Sequence, residues 1–188
     1  VLHDIDFDED SYKVRLLLGL LGVDYSRVVG DGRADPCSGP GLDAEDNGVP
    51  CLVDGDTVVR EAEAILAYLA RRYDWRDAWL PADDPSLFGQ TMTWLAFSAR
   101  RLRAVGVVDR LFDIAPDDPE TLQSAHDAFR RLESHLSARA SDGGLWCVGR
   151  SPTIADVAAF AALALSAQAG ADLSPYPAIR NWMTAIRA

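Results

Sequence analysis

Cysteine is scarce in this chain. Cys37, Cys51 and Cys147 make an odd set with no metal-ligand spacing. That excludes a disulfide scaffold and a cysteine zinc site, and it fits a reducing, cytoplasmic setting. Positive charge is also short: 18 Lys and Arg stand against 29 Asp and Glu, a formal net charge of −11. Residues 1–80 hold 17 acidic and 8 basic side chains, a net of −9, and the remainder only −2. An acidic first half lacks the basic footprint that nucleic-acid phosphates require. Its long-range field also opposes anionic ligands. No apolar run reaches the length of a membrane span, so no membrane partner is expected. Val1-Leu2-His3-Asp4 lacks the basic-then-apolar pattern of a secretory signal. There is no internal repeat and no low-complexity segment.

What is present suffices for a sizeable core: 188 residues, 48% of them hydrophobic, in one large or two small domains. Val1–Ile5 reads as a strand. The acidic run Asp6-Phe7-Asp8-Glu9-Asp10 precedes a helix from Tyr12 to Leu21, capped by Ser11 or Asp10 and ended by Gly22. Tyr25–Val29 reads as a second strand, completing a βαβ unit with parallel pairing. Residues 31–48 hold four glycines and two prolines without helical period, and a loop of that length is usually functional.

Gly48 to Leu69 is the most informative stretch. The runs Cys51–Val53 and Thr57–Val59 flank an Asp-Gly turn signal, which predicts a hairpin. Pro50 opens its first strand, where no central ladder bond is lost. Ile65, Leu66 and Leu69 then give helical spacing. The first domain is thus β-α-β, loop, β-β-α over residues 1–74, and Pro81 and Pro85 mark a linker over 75–85. Residues 86–188 are helical in period. One helix runs from Leu87 to Val105, another from Asp117 to Ala140, and an almost wholly apolar one from Ser151 to Ala169 forms the buried centre. Thr153 and Asp156 have capping-box spacing at its start. Ala178–Arg187 is the last helix.

Several pieces resemble one family in order and spacing. They are Ser11-Tyr12-Lys13-Val14-Arg15-Leu16, Gly48-Val49-Pro50-Cys51-Leu52, the helix from Glu61 to Leu69, Trp79-Leu80-Pro81, Thr153-Ile154-Ala155-Asp156, and Leu173 to Ile179. Together they resemble the cytosolic glutathione S-transferases, over nearly the whole chain. The resemblance implies an α/β plus all-α fold: a thioredoxin-like N-terminal domain, then an all-helical C-terminal domain. It also implies a cis Val49-Pro50 bond, a small-molecule site in the cleft between the domains, and a homodimer. Glutathione is the implied ligand, with Val49 and Pro50 meeting its cysteinyl unit, Glu61 its ammonium and Ala62 its γ-glutamyl carboxylate.

The implied site is altered in three places. The family's thiol-activating Ser position falls on Asp8, its Cys position near Asp10 and its Tyr position near Asp4. Carboxylates there oppose a thiolate. Ala62 lacks the family's serine hydroxyl, a hydrogen bond to charge of about 1.5–3 kcal/mol. The 31–48 loop offers Arg33 among five acids.

The expected function is therefore a small, partly apolar molecule handled without conventional thiolate activation. Asp8 or Glu9 would transfer the proton of an isomerase, lyase or cyclase reaction, while the same acids also read as a solvated helix start. A first alternative is a conventional glutathione-dependent transferase or isomerase with Ser11 at the thiol. A second is a non-catalytic binding or scaffolding module. Trp94, Phe97, Ser98 and Arg101 are the candidate substrate contacts. Arg100, Arg101, Arg103 and Arg110 read as receptors for a carboxylate-bearing substrate, for a partner subunit's acidic domain, or as a solvated face. Cys37 reads as an exposed thiol, Cys51 and Cys147 as core, and His126 and His135 as surface. No metal is expected.

Overall fold

The computed structural model describes residues 1–30, 48–102, 119–168 and 170–187, with 119–122 as backbone alone. Contacts divide the chain into two units, Val1–Asp77 and Ala78–Ala188.

The first unit holds β1 (Leu2–Asp4), α1 (Glu9–Leu21), β2 (Arg27–Val29), β3 (Cys51–Asp54), β4 (Thr57–Arg60) and α2 (Ala62–Tyr73). The sheet order is β2-β1-β3-β4. β1 pairs parallel with β2, as a right-handed crossover through α1 requires, and the other pairings are antiparallel. The hairpin differs from the expected one by one position. Asp54 pairs with Thr57, so Gly55 and Asp56 form the turn, with Gly55 at φ 60°. Leu2, Val14, Leu17, Leu52, Ile65, Leu66 and Leu69 are fully or nearly fully buried and form the core of this unit.

α1 also starts earlier than the sequence suggests. Its cap is Asp8, whose Oδ2 accepts the Ser11 N–H at 2.7 Å. Ser11 therefore lies inside the helix, because a cap carboxylate reaches the N–H three residues on. Gly22 ends the helix at φ 65°, a left-handed conformation that glycine adopts without strain.

The second unit is helical: α3 (Pro85–Phe97), a π-helical turn (Ser98–Leu102), α4 (Pro119–Ser141), α5 (Ile154–Gln168) and α6 (Pro177–Arg187). Pro85, expected in the linker, opens α3. Proline is tolerated at the first helical position, and Asp84 caps Ser86 and Leu87. α5 is buried from Ile154 to Ser166. Asp156 organises its start. Its carboxylate accepts from Thr153 N and Oγ1, from Cys147 N and from Trp182 Nε1 on α6, all within 3.0 Å. Among the described residues no helix is long and apolar enough to cross a membrane.

Candidate functional site

The pairing of β1 with β3 sets His3 opposite Cys51. The Val49-Pro50 peptide, which is cis, therefore lies beside the end of β1 from which the chain turns into α1. Pro50 is buried and Val49 half-buried. Cys51 is fully buried in the core, as expected, and is disulfide-bonded. Cys147 is a free, buried thiol, which burial and then Asp156 push up. Cys37, Arg33, Arg103, Arg110 and most of the 31–48 loop lie outside the described residues.

The turn into α1 carries the site's acids, and they differ in environment. Asp8 is half-buried and caps the helix. Ser11 is fully buried, and its Oγ accepts the Ile5 N–H at 3.2 Å. That serine ties the turn to the helix. Phe7, just before the cap, sits at φ 62° with its side chain 75% exposed. A bulky residue in that region costs on the order of 1–3 kcal/mol, and such strain clusters at functional sites.

Glu9 and Asp10 are buried around Lys13, the only lysine of the chain. Lys13 Nζ lies 3.3 Å from Glu9, 2.8 Å from Asp10 and 3.1 Å from Glu63 on α2. Burial pushes the ammonium down, but Glu9, Asp10 and Glu63 outweigh it and hold Lys13 above the usual lysine range. The ion cluster joins the N-terminal turns of α1 and α2. Asp4 is a third buried acid, taken by Arg15 at 2.5 Å and Arg27 at 2.7 Å.

At the start of α2, Glu61 takes φ 62° and makes no side-chain cap bond. Its side chain is exposed, and Ala62 behind it is buried. Val49 and Pro50 thus lie beside the end of β1, and Glu61 and Ala62 open α2, whose Glu63 reaches Lys13 of α1.

The four candidates on α3 and the π-helical turn after it divide. Phe97 and Arg101 line a cavity of about 580 Å³ against α4. Trp94 and Ser98 do not line it. Ser98 is buried and its hydroxyl donates to the Trp94 carbonyl at 3.1 Å. The Trp94 ring stacks on His135, 4.1 Å between centroids, and meets Phe97 edge-on at 5.0 Å. His135 is therefore half-buried, contrary to the surface role expected, and its Nε2 bonds the Cys147 carbonyl at 2.7 Å. His126 is exposed as expected, with Nδ1 2.8 Å from the Tyr176 hydroxyl. Sequence reasoning missed Arg131 on α4, whose guanidinium lies over the Phe97 ring, 5.0 Å from its centroid. Nothing in its spacing separates it from a solvated arginine.

Comparison with known proteins gives the family of the chain. The model of the glutathione S-transferase C-terminal domain matches residues 103–185. A glutathione S-transferase of Triticum aestivum is 30% identical over 167 residues, covering 84% of this chain and 73% of that protein. The chain belongs to the cytosolic glutathione S-transferase superfamily. Glutathione S-transferase theta-1 of Gallus gallus is 28% identical over 142 residues, covering 71% of this chain and 54% of that protein. The match therefore spans about half the length of that relative. The crystal structure of a Pseudomonas fluorescens glutathione S-transferase superposes with a TM-score of 0.81 at 25% identity, covering 100% of this chain and 94% of the other. At α1 of this chain the cap is the carboxylate of Asp8, and the buried Ser11 Oγ accepts the Ile5 N–H.

Proposed function

We propose that this glutathione S-transferase superfamily member acts on a small, partly apolar molecule by proton transfer at Asp8, and that it does not raise a glutathione thiolate. The observation that carries this reading is the Asp8 carboxylate at the N-cap of α1. A positioned carboxylate can take up and return a substrate proton. The same negative charge disfavours a thiolate brought beside it. Glu9, also a candidate, is engaged by Lys13 and serves to hold that cation. Ser11 is fully buried, so the conventional transferase reading finds no exposed hydroxyl at this turn. Val49, Pro50 and Glu61 remain suited to an extended, amine-bearing ligand, with Ala62 giving only its backbone N–H. In this reading the protein works as a cytoplasmic homodimer and the reaction is of isomerase, lyase or cyclase type.

The test is calorimetric and spectroscopic. Glutathione titrated into the protein shows no micromolar binding, and no chloronitrobenzene conjugate forms. Asp8→Ser supplies the missing hydroxyl and removes the charge. It brings up thiolate ultraviolet absorbance and conjugation at least about tenfold above the uncatalysed background, the scale of one hydrogen bond to charge. Micromolar glutathione binding with turnover in the unmodified protein would falsify the proposal.

A further inference from the structure

The loop that joins α4 to α5 is built around one guanidinium. Arg139, near the end of α4, donates from Nε to the Trp146 carbonyl at 3.2 Å and from Nη2 to the Gly149 carbonyl. Other bonds fix the same loop. Gly144 N donates to the Arg139 carbonyl at 2.8 Å, Cys147 N to Asp156 at 2.8 Å, and His135 Nε2 bonds the Cys147 carbonyl at 2.7 Å. Gly144 lets the guanidinium pack against the backbone, since a Cβ there would stand 2.7 Å from Arg139 Nη2. Arg139 is half-buried, and among the described residues no carboxylate lies within ion-pair distance of it. The two carbonyls take two of its five N–H groups and leave its charge without a counterion. A guanidinium partly withdrawn from water attracts an anion more strongly than an exposed one, because water screens it less.

Arg139 lines a cavity of about 970 Å³ together with Asp142, Trp146, Arg150 and, from the first turn of α3, Leu87. The described lining residues all belong to the second unit, at the opposite end of α3 from Phe97. The volume is that of a small-molecule site. Arg150 supplies a second cation without an acid partner among the described residues. Two guanidiniums match the double charge of a phosphate monoester better than the single charge of a carboxylate. Asp142, the one acid on the described wall, suits a pair of sugar hydroxyls, which donate to a carboxylate. Trp146 and Leu87 offer a flat and an apolar surface to a ring.

We propose that this cavity binds a nucleoside monophosphate. Arg139 and Arg150 take the phosphate, Asp142 the ribose hydroxyls, and the base lies against Trp146. Binding here is independent of proton transfer at Asp8. It also falls in the half of the chain where the field opposes an anion least, since residues 81–188 carry only −2 of the −11 net charge.

The probes are adenosine 5′-monophosphate, adenosine and inorganic phosphate, titrated into the full chain by calorimetry and by tryptophan fluorescence. Saturable binding of the nucleotide is expected, at least about tenfold tighter than either adenosine or phosphate, the scale of one bidentate charged contact. Arg150→Ala weakens the nucleotide by about tenfold or more with an unchanged melting temperature, and leaves adenosine unaffected. Gly144→Ala does the same by pushing the Arg139 guanidinium aside while every charge is kept. Trp146→Phe keeps a ring for the base, so the nucleotide still binds but the fluorescence change is lost. Asp8→Asn leaves the affinity unchanged. Absence of saturable binding, equal binding of nucleotide and adenosine, or equal binding of nucleotide and phosphate overturns the proposal. So does undiminished affinity in both Arg150→Ala and Gly144→Ala, or a fluorescence change that survives in Trp146→Phe. Loss of nucleotide binding in Asp8→Asn overturns it too, because the probe then sits in the first unit. Should Gly144→Ala fail to fold, Arg150→Ala and the comparison of the three probes still decide.

Discussion

Lys13 shows what one residue can hold. Three carboxylates, Glu9, Asp10 and Glu63, surround a lysine with no exposed side-chain surface. Such a pair or cluster adds little when compared with a well-packed apolar core, but removing one partner leaves charge buried without a counterion. Here the deleted partner would be the cation that all three acids share. Lys13→Met is therefore expected to cost about 3–5 kcal/mol, read as a shift in the urea midpoint at neutral pH. Lys13→Arg, which keeps the charge, loses much less. An equal loss in both variants would assign the effect to packing. Lys13 was visible in the sequence only as one residue of a family-like helix start. Its burial depends on Glu63, fifty positions away, and no local pattern carries that.

At the scale of elements, the legible parts are those whose signals are local. The βαβ unit, the hairpin, the apolar run of α5 and the Thr153–Asp156 box each follow from spacing within a few residues. The π-helical turn at Ser98–Leu102 has no such signal, and neither does the cap of α6. That cap is the side chain of Glu133 on α4, which accepts from Ala178 N and Ile179 N at 2.9 Å. The candidate site was legible in the same measure. Asp8, the Val49-Pro50 turn and Glu61 are read from order along the chain, while Arg131 over Phe97 needs the packing of α3 against α4.

Another such tie fastens α2 to the sheet. The hydroxyls of Tyr73 and Tyr68 donate to the same oxygen of Asp54, at 2.6 and 2.9 Å. These two bonds, Tyr73 first, hold the Asp54 carboxyl below its usual value of 3.8. A depressed carboxyl contributes stability above its unfolded value and loses it as pH falls through the folded one. Asp54→Asn should thus melt below the parent protein at pH 7, with a smaller gap at an acid pH well below 3.8, where the parent carboxyl is also protonated. Thermal midpoints at both pH values check this. A gap of the same size at each would mean that the hydrogen bonds matter and the charge does not.

For the whole molecule the governing quantity is the −11 net charge, of which −9 lies in residues 1–80. The buried acids there are already matched: Asp4 by Arg15 and Arg27, and Glu9 and Asp10 by Lys13. Those pairs are screened little by salt, because they are out of water. What salt acts on is the excess of exposed carboxylates, which repel one another and oppose the compact state. The two effects have opposite signs in a salt titration. If exposed ion pairs such as Arg71–Asp77 dominated, sodium chloride would lower stability. With so large an acidic excess, repulsion dominates instead. Raising sodium chloride from about 0.01 M to about 0.15 M shortens the Debye length from about 30 Å to about 8 Å. The melting temperature is expected to rise, by about 2–4 °C if about 1 kcal/mol of repulsion is relieved. Acidic substitutions reversed on the first unit, Asp74→Lys for one, should shrink that rise. A melting temperature that falls with salt would show that local pairs, and not net charge, set the electrostatics of this fold.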